Sequence, residues 1–308
     1  MYKKYLNLAD KVIEFTKKFG SVDAEVVITN VSDTAVEARK DKIEFSEFSD
    51  NTSIALRVID DQKTAVVSTS SKDEKSLEQL ALKAIEIAKD SLENPYDVLA
   101  QDYQFADKSK TQDLEIYDNK TKDFSNTSVF EELAISADKA SCNNAKISNT
   151  DGSSAGASTS EFILCTSNGF KNDYKRSFFY ISSSAIASHK NKMEREYAFE
   201  QRTFFEDLPL PSEIGKLAAD RALNMIGATK PSTGNYPIIF NERISSSIIG
   251  HILSAINGET ITRGSSWLLN NLNENIIPEN YSLIEDPHIL RLSGSRPFDA
   301  EGLATKKK

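Results

Sequence analysis

Three histidines (His189, His251 and His288), two cysteines (Cys142 and Cys165) and many serines are the raw material for catalysis in this sequence. Their spacing builds no familiar apparatus. No HExxH places two imidazoles on one helix face, and no Cys/His cluster has zinc spacing. There is no GxSxG elbow to expose a nucleophile. Runs such as Ser182-Ser183-Ser184 and Ser245-Ser246-Ser247 read as polar faces of a strand and a helix. Neither GxGxxG nor GxxxxGKS is present to cradle a phosphate. Glu194 and Glu196 flank Arg195 and would share one strand face, where solvated charge is the ordinary role. His251 lies between Gly250 and Ile252 in a helical stretch. A lone helical histidine is more often structural or at the surface than catalytic.

The elements that must position these residues follow from periodicity. Leu6, Ala9, Val12, Ile13 and Phe19 recur at helical spacing, and Gly20 stops that helix. Residues 24–29, 34–39, 42–48, 54–59 and 64–69 predict strands, with Asp60-Asp61-Gln62 as a hairpin connection. A helix follows, with Ser71 as N-cap and Leu77, Leu80, Ala81, Ala84, Ile85 and Ala88 on one face. The stretch 95–124 is polar and irregular, with Tyr103, Phe105, Leu114 and Tyr117 as anchors. Residues 129–140 predict a helix striped by Val129, Leu133 and Ala137. Beyond it, Asn149-Thr150-Asp151-Gly152 and Asn168-Gly169 carry turn signals. Residues 162–165, 178–186 and 194–205 predict strands, and a helix from Ser212 turns Ile214, Leu217, Leu223 and Ile226 inward up to Gly227. A buried strand over 236–240 and a helix over 243–255 open a second region.

The expected fold is therefore α+β: a largely antiparallel sheet with packed helices over residues 1–234, followed by an incomplete, β-rich second domain over 235–308. One strand and one helix are too few to bury each other.

The 308 residues carry a net charge of −9 and no dense Lys/Arg stripe, which argues against direct nucleic-acid binding. Two cysteines outside any CxxC pair suit a reducing compartment. The N-terminal MYKKYLNLADKVIEF has charges where a signal peptide needs an apolar run, and no stretch approaches about 18 apolar residues. A cytoplasmic protein without membrane association is expected.

Four blocks resemble the TldD/PmbA family, also labelled modulators of DNA gyrase. They are Ile147-Ser148-Asn149-Thr150-Asp151-Gly152; Met193-Glu194-Arg195-Glu196-Tyr197-Ala198; the run from Gly250 to Gly258 with Arg263 and Ser265-Ser266-Trp267-Leu268-Leu269; and the run from Ser295 to Thr305 containing Pro297-Phe298-Asp299-Ala300-Glu301-Gly302. They stand in family order along the whole chain. The resemblance is to the PmbA (TldE) branch. It implies a two-subunit cytoplasmic peptidase acting on unfolded or flexible peptides. In such an assembly the TldD-like partner carries HExxxH and the zinc.

Laid on that motif, Gly250 stands at the first histidine, His251 at the glutamate and Ala255 at the second histidine. The resemblance thus implies no metal and no catalytic residue in this chain, with His251, Arg263 and Trp267 as candidates for a shared cleft or subunit contact. Plainer roles stand beside these: Arg263 as a local cap or pair, and Trp267-Leu268-Leu269 as core packing. Two further readings remain, a non-enzymatic regulator of the gyrase-modulator type and an inactive remnant. Family members continue past the Pro297–Gly302 block, so a C-terminally truncated chain with uncovered apolar faces on 236–240 and the next helix is expected.

Overall fold

A computed structural model describes residues 2–20, 22–107, 112–121 and 127–308. Part of the polar stretch 95–124, namely 108–111 and 122–124, lies outside the described residues. By contacts the chain forms two compact units, Met1–Gly227 with Asp286–Lys308, and Ala228–Glu285. Residues 286–308, expected in the second region, thus pack with the first.

The first unit is built on one antiparallel sheet of six strands in the order β3-β2-β1-β4-β5-β6. The strands are β1 (Asp23–Arg39), β2 (Lys42–Asp60), β3 (Lys63–Thr69), β4 (Ile147–Thr166), β5 (Lys171–His189) and β6 (Lys192–Arg202). Among the described residues four α-helices accompany them: α1 (Tyr2–Phe19), α2 (Glu74–Asp90), α3 (Ser128–Ser141) and α4 (Pro211–Asn224).

Several expected short strands prove to be single long ones. Residues 24–29 and 34–39 are two ends of the 17-residue β1, and 42–48 and 54–59 two ends of the 19-residue β2. The polar middle of β1 misleads because its hydrogen bonds are met internally. Asn30 is buried, accepts from Tyr5 of α1 at 2.7 Å and from Thr52 of β2, and donates to Asp50 at 2.9 Å. A buried amide satisfied this way costs little, so the strand runs on. The hairpin pairs Lys40-Asp41, Asp61-Gln62 and Lys190-Asn191 all have positive φ, the conformation whose twist suits a two-residue β-hairpin.

Strand alternation places the helices. Val26 and Ile28 pack with α1 and α2, whereas Val36 and Ala38 pack with α3 and α4. All four are even-numbered positions of β1, so both helix pairs cover the same sheet face. The expected α2 stripe is the buried one. Its N-cap is Asp73 rather than Ser71: the Asp73 carboxylate accepts from Ser76 N at 2.9 Å, and the Ser71 hydroxyl donates to that carboxylate. In α3 the buried face is Phe130, Ala134, Ala137, Asp138 and Ser141, rotated from the expected Val129 and Leu133. The reason is close approach. In α4, Gly215 lets the helix pass so near α3 that a Cβ there would stand 2.0 Å from the Ala137 carbonyl oxygen. Small residues therefore face α3, and Leu217, expected inward, is exposed.

The opposite sheet face carries a separate aromatic core in which Phe298, Phe170, Leu164 and Ala106 are buried against Phe162 and Tyr174. The second unit contains α5 (Glu242–Ala255) and α6 (Gly258–Thr262) and no strand among its described residues. The expected buried strand over 236–240 is instead non-strand and exposed, Ile239 at 97%. Among the described residues no partner strand accepts its backbone hydrogen bonds, and apolar character alone does not make a strand.

Candidate functional site

Two of the four blocks meet at the end of the sheet that carries the β1–β2 and β5–β6 hairpins. Asn149-Thr150-Asp151-Gly152 is not the turn its Asp-Gly suggests. It lies within β4 as an irregularity, with register shifts at Ile147/Asn149 and Thr150/Ser153 and Gly152 at φ +98°. A bulge of this kind re-aims side chains out of the regular pleat.

Thr150 is buried there, and its one hydroxyl proton has two acceptors at 2.9 Å, Asp138 Oδ1 and the Ser184 carbonyl. The same hydroxyl oxygen accepts from Gly152 N at 3.0 Å. Asp138, buried on α3, also accepts from Asp41 N at 3.4 Å, so one carboxylate holds both the bulge and the β1–β2 hairpin.

Asp151 emerges from the bulge and meets Arg195 of β6 at 3.0 Å. Arg195 Nε donates to Ser184 Oγ at 3.2 Å. A depression of about 330 Å³ is lined by Glu37, Asp151, Ser154, Ser182, Arg195 and Tyr197. Ser154 and Ser182, cross-strand partners, share a hydrogen bond of 2.7 Å. Beside them Tyr180 stacks on Phe199 with ring centroids 6.3 Å apart. It sits where Gly156 leaves room: a Cβ at 156 would lie 2.8 Å from the Tyr180 ring and 2.2 Å from the Thr34 carbonyl oxygen. Burial pushes the Tyr180 phenol up, with Asp33 and Glu37 adding to the effect. Chemically this surface offers hydroxyls, a guanidinium and carboxylates for polar recognition. Its serines bond to one another, to backbone or to Arg195, and no imidazole is among its lining residues.

The fourth block is a staple on the opposite sheet face. Phe298 is buried, and Asp299 Oδ1 accepts from Glu301 N and Leu303 N, both at 2.9 Å. Gly302, at φ +81°, presses on Phe170 so closely that a Cβ would stand 2.8 Å from the ring. Glu301 reaches Arg57 at 3.3 Å, and Arg57 reaches the buried Glu25 at 3.1 Å. Burial raises the Glu25 pKa, the Arg57 charge opposes this, and Glu301 adds to it. No periodicity could find the Glu25–Arg57–Glu301 cluster, since its members are up to 276 positions apart (301 − 25).

The three residues singled out from sequence lie in the second unit. His251 is exposed on α5. Arg263 stands at the C-cap of α6 and pairs with Glu259 four residues earlier. Trp267 is not core: it is 64% exposed, and Leu268 is the buried residue of that run. Ser266 explains the difference. Its hydroxyl donates to the Ala255 carbonyl at 2.6 Å and accepts from Leu268 N at 3.0 Å, turning Leu268 inward. Among the described residues no hydrogen bond or ion pair joins His251, Arg263 and Trp267.

Comparison with known proteins completes the picture. Family models described as PmbA/TldA metallopeptidase domain 1, central domain and C-terminal domain match residues 24–88, 119–226 and 233–308. The Metalloprotease PmbA homolog of Haemophilus influenzae is 30% identical over 297 residues, 96% of this chain and 64% of that protein. Metalloprotease PmbA of Escherichia coli O157:H7 is 27% identical over 289 residues, 92% and 62% respectively. The chain thus spans under two thirds of the length of these relatives. A Bacteroides thetaiotaomicron protein, assigned as a modulator of DNA gyrase, has a TM-score of 0.90 at 27% identity, covering 99% of this chain and 69% of the other. TldE from Thermococcus kodakarensis has a TM-score of 0.74 at 18% identity, covering 97% and 66%, and shares the fold.

Proposed function

The chain belongs to the PmbA/TldD metallopeptidase family, and from that premise we propose that it is a PmbA/TldE-like subunit that completes a zinc peptidase without itself doing chemistry. The observation that carries this reading is the donor set of α5. At the positions where the resemblance calls for two histidines and a glutamate, α5 has Gly250, Ala255 and His251. Glycine and alanine have no side-chain lone pair, and a catalytic zinc needs about three protein ligands. Among the described residues no group of three His, Cys, Asp or Glu side chains is placed to hold a metal. The residues present do not fit a zinc site.

On this reading a TldD-like partner brings the HExxxH helix and the zinc, the substrates are unfolded peptides, and the assembly is cytoplasmic. No helix among the described residues is long and apolar enough to cross a membrane. His251, Arg263 and Trp267, all exposed, are offered to the shared cleft or subunit contact. Apolar side chains exposed on the same unit, among them Ile238, Ile239 and Leu272, suit a surface that a second subunit covers.

Size exclusion with light scattering on this chain mixed with an HExxxH-bearing partner from the same cells tests the proposal. A stable heteromer is expected, with zinc travelling with the partner. Replacing His251 by Ala should leave the zinc content of the mixture unchanged; a fall would mean that this chain supplies a ligand. The alternative, a non-enzymatic regulator, draws on the gyrase-modulator assignment of the B. thetaiotaomicron relative. It requires that the chain capture gyrase in the absence of any metal-bearing partner.

A further inference from the structure

Among the described residues, Arg176 of β5 is a cation without a counter-ion. Its Nη1 donates to the Ser293 carbonyl at 3.1 Å and its Nη2 to the Ser295 carbonyl at 2.7 Å. The guanidinium lies 4.9 Å from the Tyr174 ring centroid. Its Nε is buried with no hydrogen-bond partner. Among the described residues no carboxylate pairs with it. Burial lowers its pKa, Tyr174 opposes this, and the like charge of Arg296 adds to the lowering. A half-buried guanidinium lacking a carboxylate is costly, because desolvation is not repaid by a partner charge.

Arg176 lines a cavity of about 230 Å³ together with Ser160, Gln201, Ser293, Phe178 and Ile116. Ser160 is its cross-strand partner on β4, and Gln201 lies on β6. The hydroxyl of Ser160 and the amide of Gln201 have no partner among the described residues. A cavity with apolar walls, one arginine and two uncommitted neutral polar groups has the composition of a small-ligand site.

We propose that this cavity binds a monoanionic carboxylate on Arg176, with Ser160 and Gln201 completing its hydrogen bonds. The planar guanidinium fork matches a carboxylate, and among the described residues Arg176 is the one charged side chain lining the cavity, Arg296 lying outside that lining, which matches one negative charge. A dianionic phosphate would be left undercompensated. The carboxylate can come from a peptide C-terminus or from an acidic side chain. Only the choice of peptides as carriers rests on the peptidase-subunit reading; the site itself stands on the unpaired cation.

The test is calorimetric titration of the full chain with four probes: tri-alanine, tri-alanine amide, N-acetyl-Ala-Glu-Ala amide and inorganic phosphate. Tri-alanine, the glutamyl peptide or both should bind, and the better binder identifies the source of the carboxylate. Tri-alanine amide and phosphate should bind at least about tenfold more weakly, as loss of a charge-assisted pair requires. Arg176→Gln should abolish binding. Because that change also removes two bonds to the 293–295 carbonyls, Ser160→Val is the control: it removes the Ser160 hydroxyl and adds bulk to the cavity wall, spares those bonds and should also abolish binding. Binding that survives Ser160→Val, equal binding of the amide, tighter binding of phosphate, or no binding by either carboxylate probe overturns the site. None of these outcomes touches the assembly assay, so the two proposals fail separately.

Discussion

Replacing Phe298 by Ala should unfasten residues 286–308 from the sheet and destabilise the whole first unit. Phe298 is buried and packs edge-on against Phe170 at 5.4 Å and Tyr174 at 5.2 Å, with Phe162 at 6.1 Å. Truncating a buried phenylalanine costs about 3–5 kcal/mol in lost transfer energy and cavity formation. Three aromatic neighbours put this site at the upper end, since each such pair adds about 0.5–1.5 kcal/mol beyond area burial. Against a whole-domain stability of about 5–15 kcal/mol, that is a third or more of the total. Phe298→Leu, which keeps most of the volume, should cost roughly 1 kcal/mol. Urea denaturation followed by circular dichroism reads the global term. Amide exchange at Ala106, bonded to the Gly302 carbonyl at 2.9 Å, and at Asp299, bonded to the Leu303 carbonyl at 3.0 Å, reads the local one. Both amides should lose protection in Phe298→Ala ahead of the β1–β4 core. A cost below about 1 kcal/mol with protection unchanged would refute the claim that this segment is part of the fold's core.

Three further outcomes are expected. Gly156→Ala should cost about 1–3 kcal/mol or more by overpacking. Adding Tyr180→Ala should not restore stability, because the nearer clash, 2.2 Å, is with the Thr34 backbone; rescue in a double-mutant denaturation series would place the strain in the ring instead. Asp73, held at about 2 by bonds from Ser71 and Ser76 against an ordinary 3.8, should stabilise α2 above pH 4 and cease to do so as pH falls toward 2. The difference in melting temperature between wild type and Asp73→Ala should therefore shrink over that range, and a constant difference would deny the cap its charge. Cys165 is buried and its thiol is pushed up to about 12, whereas Cys142 is exposed. A thiol reagent should modify one cysteine in the native chain and two in denaturant; fast modification of both in the native state would mean that β4 opens readily.

The sequence by itself determined the class of the fold and most of its helices. The α2 face was legible because helical periodicity is local: six apolar residues at the right spacing suffice, whatever they pack against. Four short blocks in order carried the family for the same reason. The tertiary structure alone decided what depends on distant partners. Asn30 stays inside a strand because Tyr5, Asp50 and Thr52 complete its hydrogen bonds. Asp-Gly at 151–152 makes a bulge rather than a turn because Asp138 of α3 and Ser184 of β5 hold Thr150 in place. Trp267 faces outward because Ser266 bonds back to Ala255. Arg176 looks like any strand arginine until burial and the absence of a facing carboxylate among the described residues single it out. Propensity and spacing act within a turn of helix or a pair of strands. Satisfying buried polar groups and opposing charges is settled across the whole chain, and only the fold brings those partners together.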